Sequence, residues 1–190
     1  GSIRDIMDLV VNIVVRKREM LGLGHAVLTG EPLIGPEPFG MVLSDDLCLN
    51  TGGPSVLAQM AQLFDEFSCS IVAVQEVPEN EIHNYGVIAG EPLRDGITRV
   101  ERMVEKPSAA EAPSNLAIIG RYILTPDIFD IIRGTAPGAS GEIQITDALQ
   151  QQANTGGVIA YQFKGRRFDC GSVPGFVEAT NHVYETIYRP

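Results

Sequence analysis

The chain has 190 residues, 44% of them hydrophobic, enough for one sizeable core and suggesting a single domain over residues 3–190. Lys and Arg number 14 against 24 Asp and Glu, a formal net charge of −10, which argues against a broad grip on nucleic acid or an anionic membrane. No apolar run approaches the roughly 18 residues that span a bilayer, no signal peptide is recognisable, and Cys48, Cys69 and Cys170 are too scattered for a disulfide framework or a zinc site; the expectation is a reduced, cytoplasmic α/β domain.

Gly1-Ser2 reads as a cloning scar. Ile3, Ile6, Met7 and Val10 have helical spacing and predict a helix fragment over 3–9. It runs without a turn signal into a predicted buried strand over 11–15, an abrupt join. The Gly22-Leu23-Gly24-His25 turn leads into a short helix around 26–28, and Pro32, Gly35, Pro36 and Pro38 predict a loop. The apolar run 39–43 predicts a strand, followed at once by Ser44-Asp45-Asp46. Pro54 opens a helix whose stripe is Val56, Leu57, Met60, Leu63, Phe64 and Phe67. With a strand over 70–77, this predicts a right-handed βαβ crossover in a parallel sheet. Strands over 85–89, 97–105 and 116–124 predict a mixed or antiparallel extension. A short helix follows Thr125-Pro126-Asp127, another covers 145–153, and strands cover 158–163 and 167–168. The last helix carries Phe176, Val177, Thr180, Val183, Tyr184 and Ile187 on one face.

Several residues carry chemical potential. Asp45 and Asp46 end a buried strand, where open α/β sheets bind ligands, and a carboxylate there suits Mg²⁺; a solvated acidic turn is the commoner reading of such a pair alone. Gly22-Leu23-Gly24-His25 lets backbone approach a ligand, although an ordinary turn has the same composition. Glu105-Lys106-Pro107 offers a sugar-hydroxyl acceptor and a phosphate cation at a strand end, or else a surface ion pair. Asp169 is either a second metal carboxylate or a helix N-terminal partner. Cys170, beside an acid, is not expected to be a reactive thiol. Residues 141–147 read as a capped helix start. Paired carboxylates for glycoside hydrolysis stay open at this level, but leave Lys106 and the glycine turn unexplained.

Taken in order, eight short motifs resemble the bacterial UTP–glucose-1-phosphate uridylyltransferases, or UDP-glucose pyrophosphorylases. They are Gly22-Leu23-Gly24-His25-Ala26-Val27, Val42-Leu43-Ser44-Asp45-Asp46, Tyr85-Gly86-Val87, Val104-Glu105-Lys106-Pro107, Ala112-Pro113-Ser114-Asn115-Leu116, Gly120-Arg121-Tyr122, Gly141-Glu142-Ile143-Gln144-Ile145-Thr146-Asp147 and Asp169-Cys170-Gly171. The resemblance implies an α/β fold of the nucleotide-diphospho-sugar transferase type. Its sheet is expected to be Rossmann-like, mixed and mostly parallel, flanked by helices, with a β-rich sugar-binding extension. It implies that glucose 1-phosphate attacks the α-phosphorus of UTP in line, with Mg²⁺, giving UDP-glucose and pyrophosphate. It implies metal binding by Asp45 and Asp169, and catalysis by Asp45 and Lys106. It implies substrate binding by Gly24 at uracil, by Asp46, Gly86 and Glu105 on the sugar side, and by Lys106 at the sugar phosphate. A homo-oligomer is implied as well.

Two departures stand out. Lys17 occupies the position of the family's uracil-reading glutamine, and lysine cannot accept a hydrogen bond, so a relative using dTTP is a second reading. No Gly-x-Gly-x-Arg triphosphate loop occurs in the 190 residues. The expectation is therefore a fragment lacking the family's N-terminal part and inactive by itself, with a non-catalytic regulatory homologue as a third reading.

Overall fold

The computed structural model describes residues 13–15, 19–138 and 141–189. Helix α1 (Gly22–Ile34) runs through Pro32 and stops at Gly35, whose N–H still donates to Glu31 O at 2.9 Å and whose φ of 72° turns the chain out of the helix. The expected loop thus begins later, since a proline in the last turn is tolerated when the chain is about to leave the helix. Strand β1 (Phe39–Val42) leads through the Asp45 turn to β2 (Asp46–Leu49), a strand the sequence did not announce. Helix α2 (Val56–Phe67) is capped by Ser55, whose hydroxyl accepts from Ala58 N at 3.2 Å. Then come β3 (Ser70–Glu76), a 3₁₀ turn (Glu79–Asn84), β4 (Gly86–Arg94), β5 (Ile97–Glu105) and β6 (Leu116–Leu124). Helices α3 (Ile128–Gly134) and α4 (Ile145–Ala153) precede β7 (Val158–Gln162), β8 (Arg166–Asp169) and helix α5 (Val173–Val183), which continues as a π-helical turn (Tyr184–Tyr188).

Six strands form a mixed sheet in the order β1-β6-β3-β7-β5-β4, with β4 also meeting β6, while β2 and β8 form a separate antiparallel ribbon. The expectation of a mostly parallel sheet is corrected. Among the described residues only β3 and β7 pair in parallel, and every other pairing is antiparallel. The cause is β6. It inserts between β1 and β3, antiparallel to both, so the two strands of the expected crossover are not neighbours.

Alternation along β3 divides the core. Val72 and Val74 face Val27 of α1, Ile128, Phe129 and Ile132 of α3, and Ile145 and Leu149 of α4. Ile71 and Ala73 face Val56, Met60 and Leu63 of α2. With both faces covered, β3 reads as a continuous apolar run rather than an alternating one.

The helix expected over 3–9 lies outside the described residues. Of the strand expected over 11–15, residues 13–15 are described and lie in no strand; Ile13 and Val14 are exposed, at 61% and 94%. β-branched side chains favour a strand only where a neighbour and a packing face are present. The apolar face of the last helix is likewise uncovered. Phe176, Val177, Tyr184, Ile187 and Tyr188 are exposed, and Ala179 alone is buried among the described residues of α5. Among the described residues, no helix is long and apolar enough to cross a membrane.

Candidate functional site

A cavity of about 590 Å³ opens where the β2–β8 ribbon meets the start of β4, the end of β5 and the middle of β6. Asp45, Asp46, Gly86, Glu105, Lys106 and Asp169 all line it, although they come from segments up to 124 positions apart (169 − 45). Gly24 is not part of the wall. Its N–H donates to Ile143 O at 2.9 Å, and a Cβ there would come within 2.8 Å of that oxygen. The close approach this glycine permits is to residue 143. Lys17 lies outside the described residues.

The acidic side is built by the turn after β1 and the end of β8. Cys170 N donates to Asp45 O at 2.7 Å, and Gly171 N donates to Asp169 Oδ1 at 3.0 Å. A Cβ on Gly171 would lie 3.1 Å from Asp169 Oδ1 and 3.5 Å from Asp45 Oδ2. Gly171 therefore leaves a small cradle into which both carboxylates reach. Two carboxylates, with other positions open to phosphate and water, fit a hard cation such as Mg²⁺. No cluster of three or more His, Cys, Asp or Glu placed to hold a metal occurs among the described residues.

Asp46 is placed differently from its neighbour. It is buried, its Oδ2 accepts from Gly120 N at 2.9 Å, and its Oδ1 accepts from Arg167 Nε. Both oxygens are engaged by the protein, so its carboxylate serves the wall of the cavity. Arg167 is the residue that sequence reading missed. Its guanidinium also donates to Tyr85 Oη at 3.1 Å and lies 5.1 Å from the Tyr85 ring centroid. The available signal was the i, i+2 spacing of Arg167 and Asp169, which puts both on one face of a strand.

The opposite wall carries Glu105 and Lys106. Gly86 pairs with Glu105 in the β4–β5 hairpin. A Cβ on Gly86 would sit 3.0 Å from Thr146 Oγ1 and 3.1 Å from Glu105 Oε2. Its absence lets Thr146 donate to that carboxylate at 2.6 Å. Lys106 adopts φ 46°, a left-handed conformation uncommon for a non-glycine residue, immediately before Pro107. Its N–H donates to Tyr85 O at 3.0 Å. Its ammonium has no ion-pair partner among the described residues, leaving a cation at the cavity wall. Tyr122, at the cavity floor, has its phenol pushed well above the usual range by burial, and further by Glu105 and Asp46.

The arrangement can hold a divalent cation on one side and, on the other, accept hydroxyl hydrogen bonds and neutralise a phosphate. Residues 3–186 match a family model described as Nucleotidyl transferase. A Pseudomonas aeruginosa protein named UTP–glucose-1-phosphate uridylyltransferase is 64% identical over 188 residues, covering 99% of this chain and 67% of that protein. A solved apo UDP-glucose pyrophosphorylase matches with a TM-score of 0.92 at 56% identity, over 96% of this chain and 67% of its own. A UDP-glucose pyrophosphorylase complexed with UDP-glucose matches with a TM-score of 0.87 at 58% identity, over 90% and 65%. The chain thus spans about two thirds of the length of these relatives.

Proposed function

The chain belongs to the nucleotidyl transferase family, among the UTP–glucose-1-phosphate uridylyltransferases, and on that premise we propose that its cavity is the metal and sugar-phosphate side of a site that joins UTP and glucose 1-phosphate. A phosphate oxygen of the sugar would form a bond to the α-phosphorus of UTP, the bond from that phosphorus to the α,β-bridging oxygen would break, and pyrophosphate would leave with the electron pair. Lys106 would hold the sugar phosphate and offset its charge as the two anions approach. Glu105, fixed by Thr146, would accept hydrogen bonds from sugar hydroxyls, with Gly86 leaving room for the ring. Asp45 and Asp169 would hold Mg²⁺, which supplies charge neutralisation at the transferring phosphoryl group. Asp46 would contribute by fixing the wall, and Gly24 by fixing the turn that packs on residue 143.

The observation that carries this reading is the convergence of Asp45, Asp169, Glu105 and Lys106 on one cavity. The 190 residues contain no Gly-x-Gly-x-Arg loop to cradle a triphosphate. The expected behaviour of this polypeptide is therefore binding without turnover. Calorimetry should show binding of UDP-glucose with Mg²⁺, and Lys106→Ala should weaken it by about tenfold or more, the scale of a lost charge-assisted contact. An assay with UTP, glucose 1-phosphate and Mg²⁺ should show no UDP-glucose formed. Absence of UDP-glucose binding, or binding indifferent to Lys106→Ala, would count against the assignment. The homo-oligomer implied by the family resemblance belongs to the same proposal, and a monomer in sedimentation would count against it.

A further inference from the structure

The β2–β8 ribbon sets Asp46 directly opposite Asp169. Like charges facing each other across an antiparallel pair repel. Arg167 lies on β8 two residues before Asp169 and reaches both. Its Nε donates to Asp46 Oδ1, and its NH2 lies 3.7 Å from Asp169 Oδ2. The Arg167 and Asp46 side chains are each only 11% exposed. The third arm of the fork, NH1, donates to Tyr85 Oη. Asp46 and Tyr85 therefore fix the plane of the guanidinium and leave NH2 in ion-pair range of the half-exposed Asp169 carboxylate, beyond hydrogen-bond distance. The other Asp169 oxygen, Oδ1, accepts from Gly171 N and reaches the cradle it shares with Asp45.

We propose that Arg167, clamped by Asp46 and Tyr85, is a positioning residue that orients the Asp169 carboxylate and thereby sets the divalent-metal affinity of the pocket. The inference rests on the metal reading of Asp45 and Asp169. It differs from a purely electrostatic role, because a fixed cation beside a metal site opposes a second cation. Loss of its charge alone would tighten metal binding. Loss of its geometry loosens it, as removal of a partner that orients a metal ligand does.

The test is Mn²⁺ binding to the UDP-glucose-saturated chain, followed by the paramagnetic resonance of free Mn²⁺. Arg167→Lys keeps the charge but cannot span three partners. It should weaken Mn²⁺ by about tenfold or more when the variant is likewise saturated with UDP-glucose. Unchanged or tighter Mn²⁺ binding overturns the inference, provided Asp45→Asn weakens Mn²⁺ in the parent chain. A parent that binds no Mn²⁺, or binds it indifferently to Asp45→Asn, overturns the metal reading and this inference with it. Should Arg167→Lys fail to fold, Tyr85→Phe decides by the same outcomes, since it removes one clamp and keeps the ring beneath the guanidinium.

Discussion

Thr146 donates its hydroxyl to Glu105 Oε2 across 2.6 Å, tying the first turn of α4 to the last residue of β5. The two are 41 positions apart in sequence, and Gly86 makes the contact sterically possible. Thr146→Val keeps the shape of the side chain and removes the donor. UDP-glucose binding should weaken by about fivefold, equivalent to about 1 kcal/mol for one hydrogen bond. Calorimetry on the folded variant checks it, and an unchanged affinity would separate Glu105 from sugar binding.

Lys106 combines backbone strain with a cation that has no ion-pair partner among the described residues. Glycine adopts φ 46° without the steric penalty of a side chain, which amounts to about 1 kcal/mol or more for an L-residue. Lys106→Gly should therefore leave urea stability equal or slightly higher while glucose 1-phosphate binding is lost. Opposite movement of stability and affinity is the signature of strain kept for function. A variant that loses both would show Lys106 to be a structural residue.

Gly24 makes the reverse prediction. Its Cβ position is 2.8 Å from both Ile143 O and Ile143 Cγ2, so Gly24→Ala must push the 142–143 segment away. The expected result is a loss of about 1–3 kcal/mol in urea unfolding, in the range of overpacking. Gly35→Ala, where nothing lies within 4 Å but φ is 72°, is a useful comparison because its cost is backbone strain without collision.

Tyr122 predicts alkaline sensitivity. Its phenol is raised first by burial and then by the nearby Glu105 and Asp46 carboxylates. In the unfolded chain it ionises near pH 10. Above that pH the unfolded state sheds a proton that the folded state keeps, so the stabilising contribution is complete below about pH 10 and declines as pH rises further. Tyr122→Phe should show a smaller fall in stability between pH 9 and pH 11 than the parent. Equal falls in the two proteins would remove Tyr122 as the cause.

Local patterns placed several elements closely. The apolar stripe of α2 and the runs of β5 and β6 were legible because each residue's role follows from neighbours three or four positions away, or two. The ribbon was not. Strand β2 holds together by pairing with β8 some 120 positions later, and the Arg167–Asp46 contact spans 121. Neither partner has a local sign of the other. The parallel expectation failed for a related reason: β6 enters between β1 and β3 from a distant part of the chain. At the candidate site, Asp45, Asp169, Glu105 and Lys106 were singled out through motif order and line one cavity, whereas the engagement of both Asp46 oxygens by protein groups depends on packing alone.

Arg121 donates to three main-chain oxygens, Leu43 O at 3.1 Å, Gly120 O at 2.9 Å and Asp46 O, and so brackets the turn that carries Asp45. Leu43 N returns a bond to Gly120 O at 2.9 Å. A loop left free would have to surrender its conformational entropy when its ligand arrived, at about 1–2 kcal/mol for each residue fixed. Here that ordering accompanies folding of the chain itself. A cation held at Asp45, as proposed, would meet a turn already ordered by these hydrogen bonds, and little of its binding free energy would be consumed in immobilising the loop.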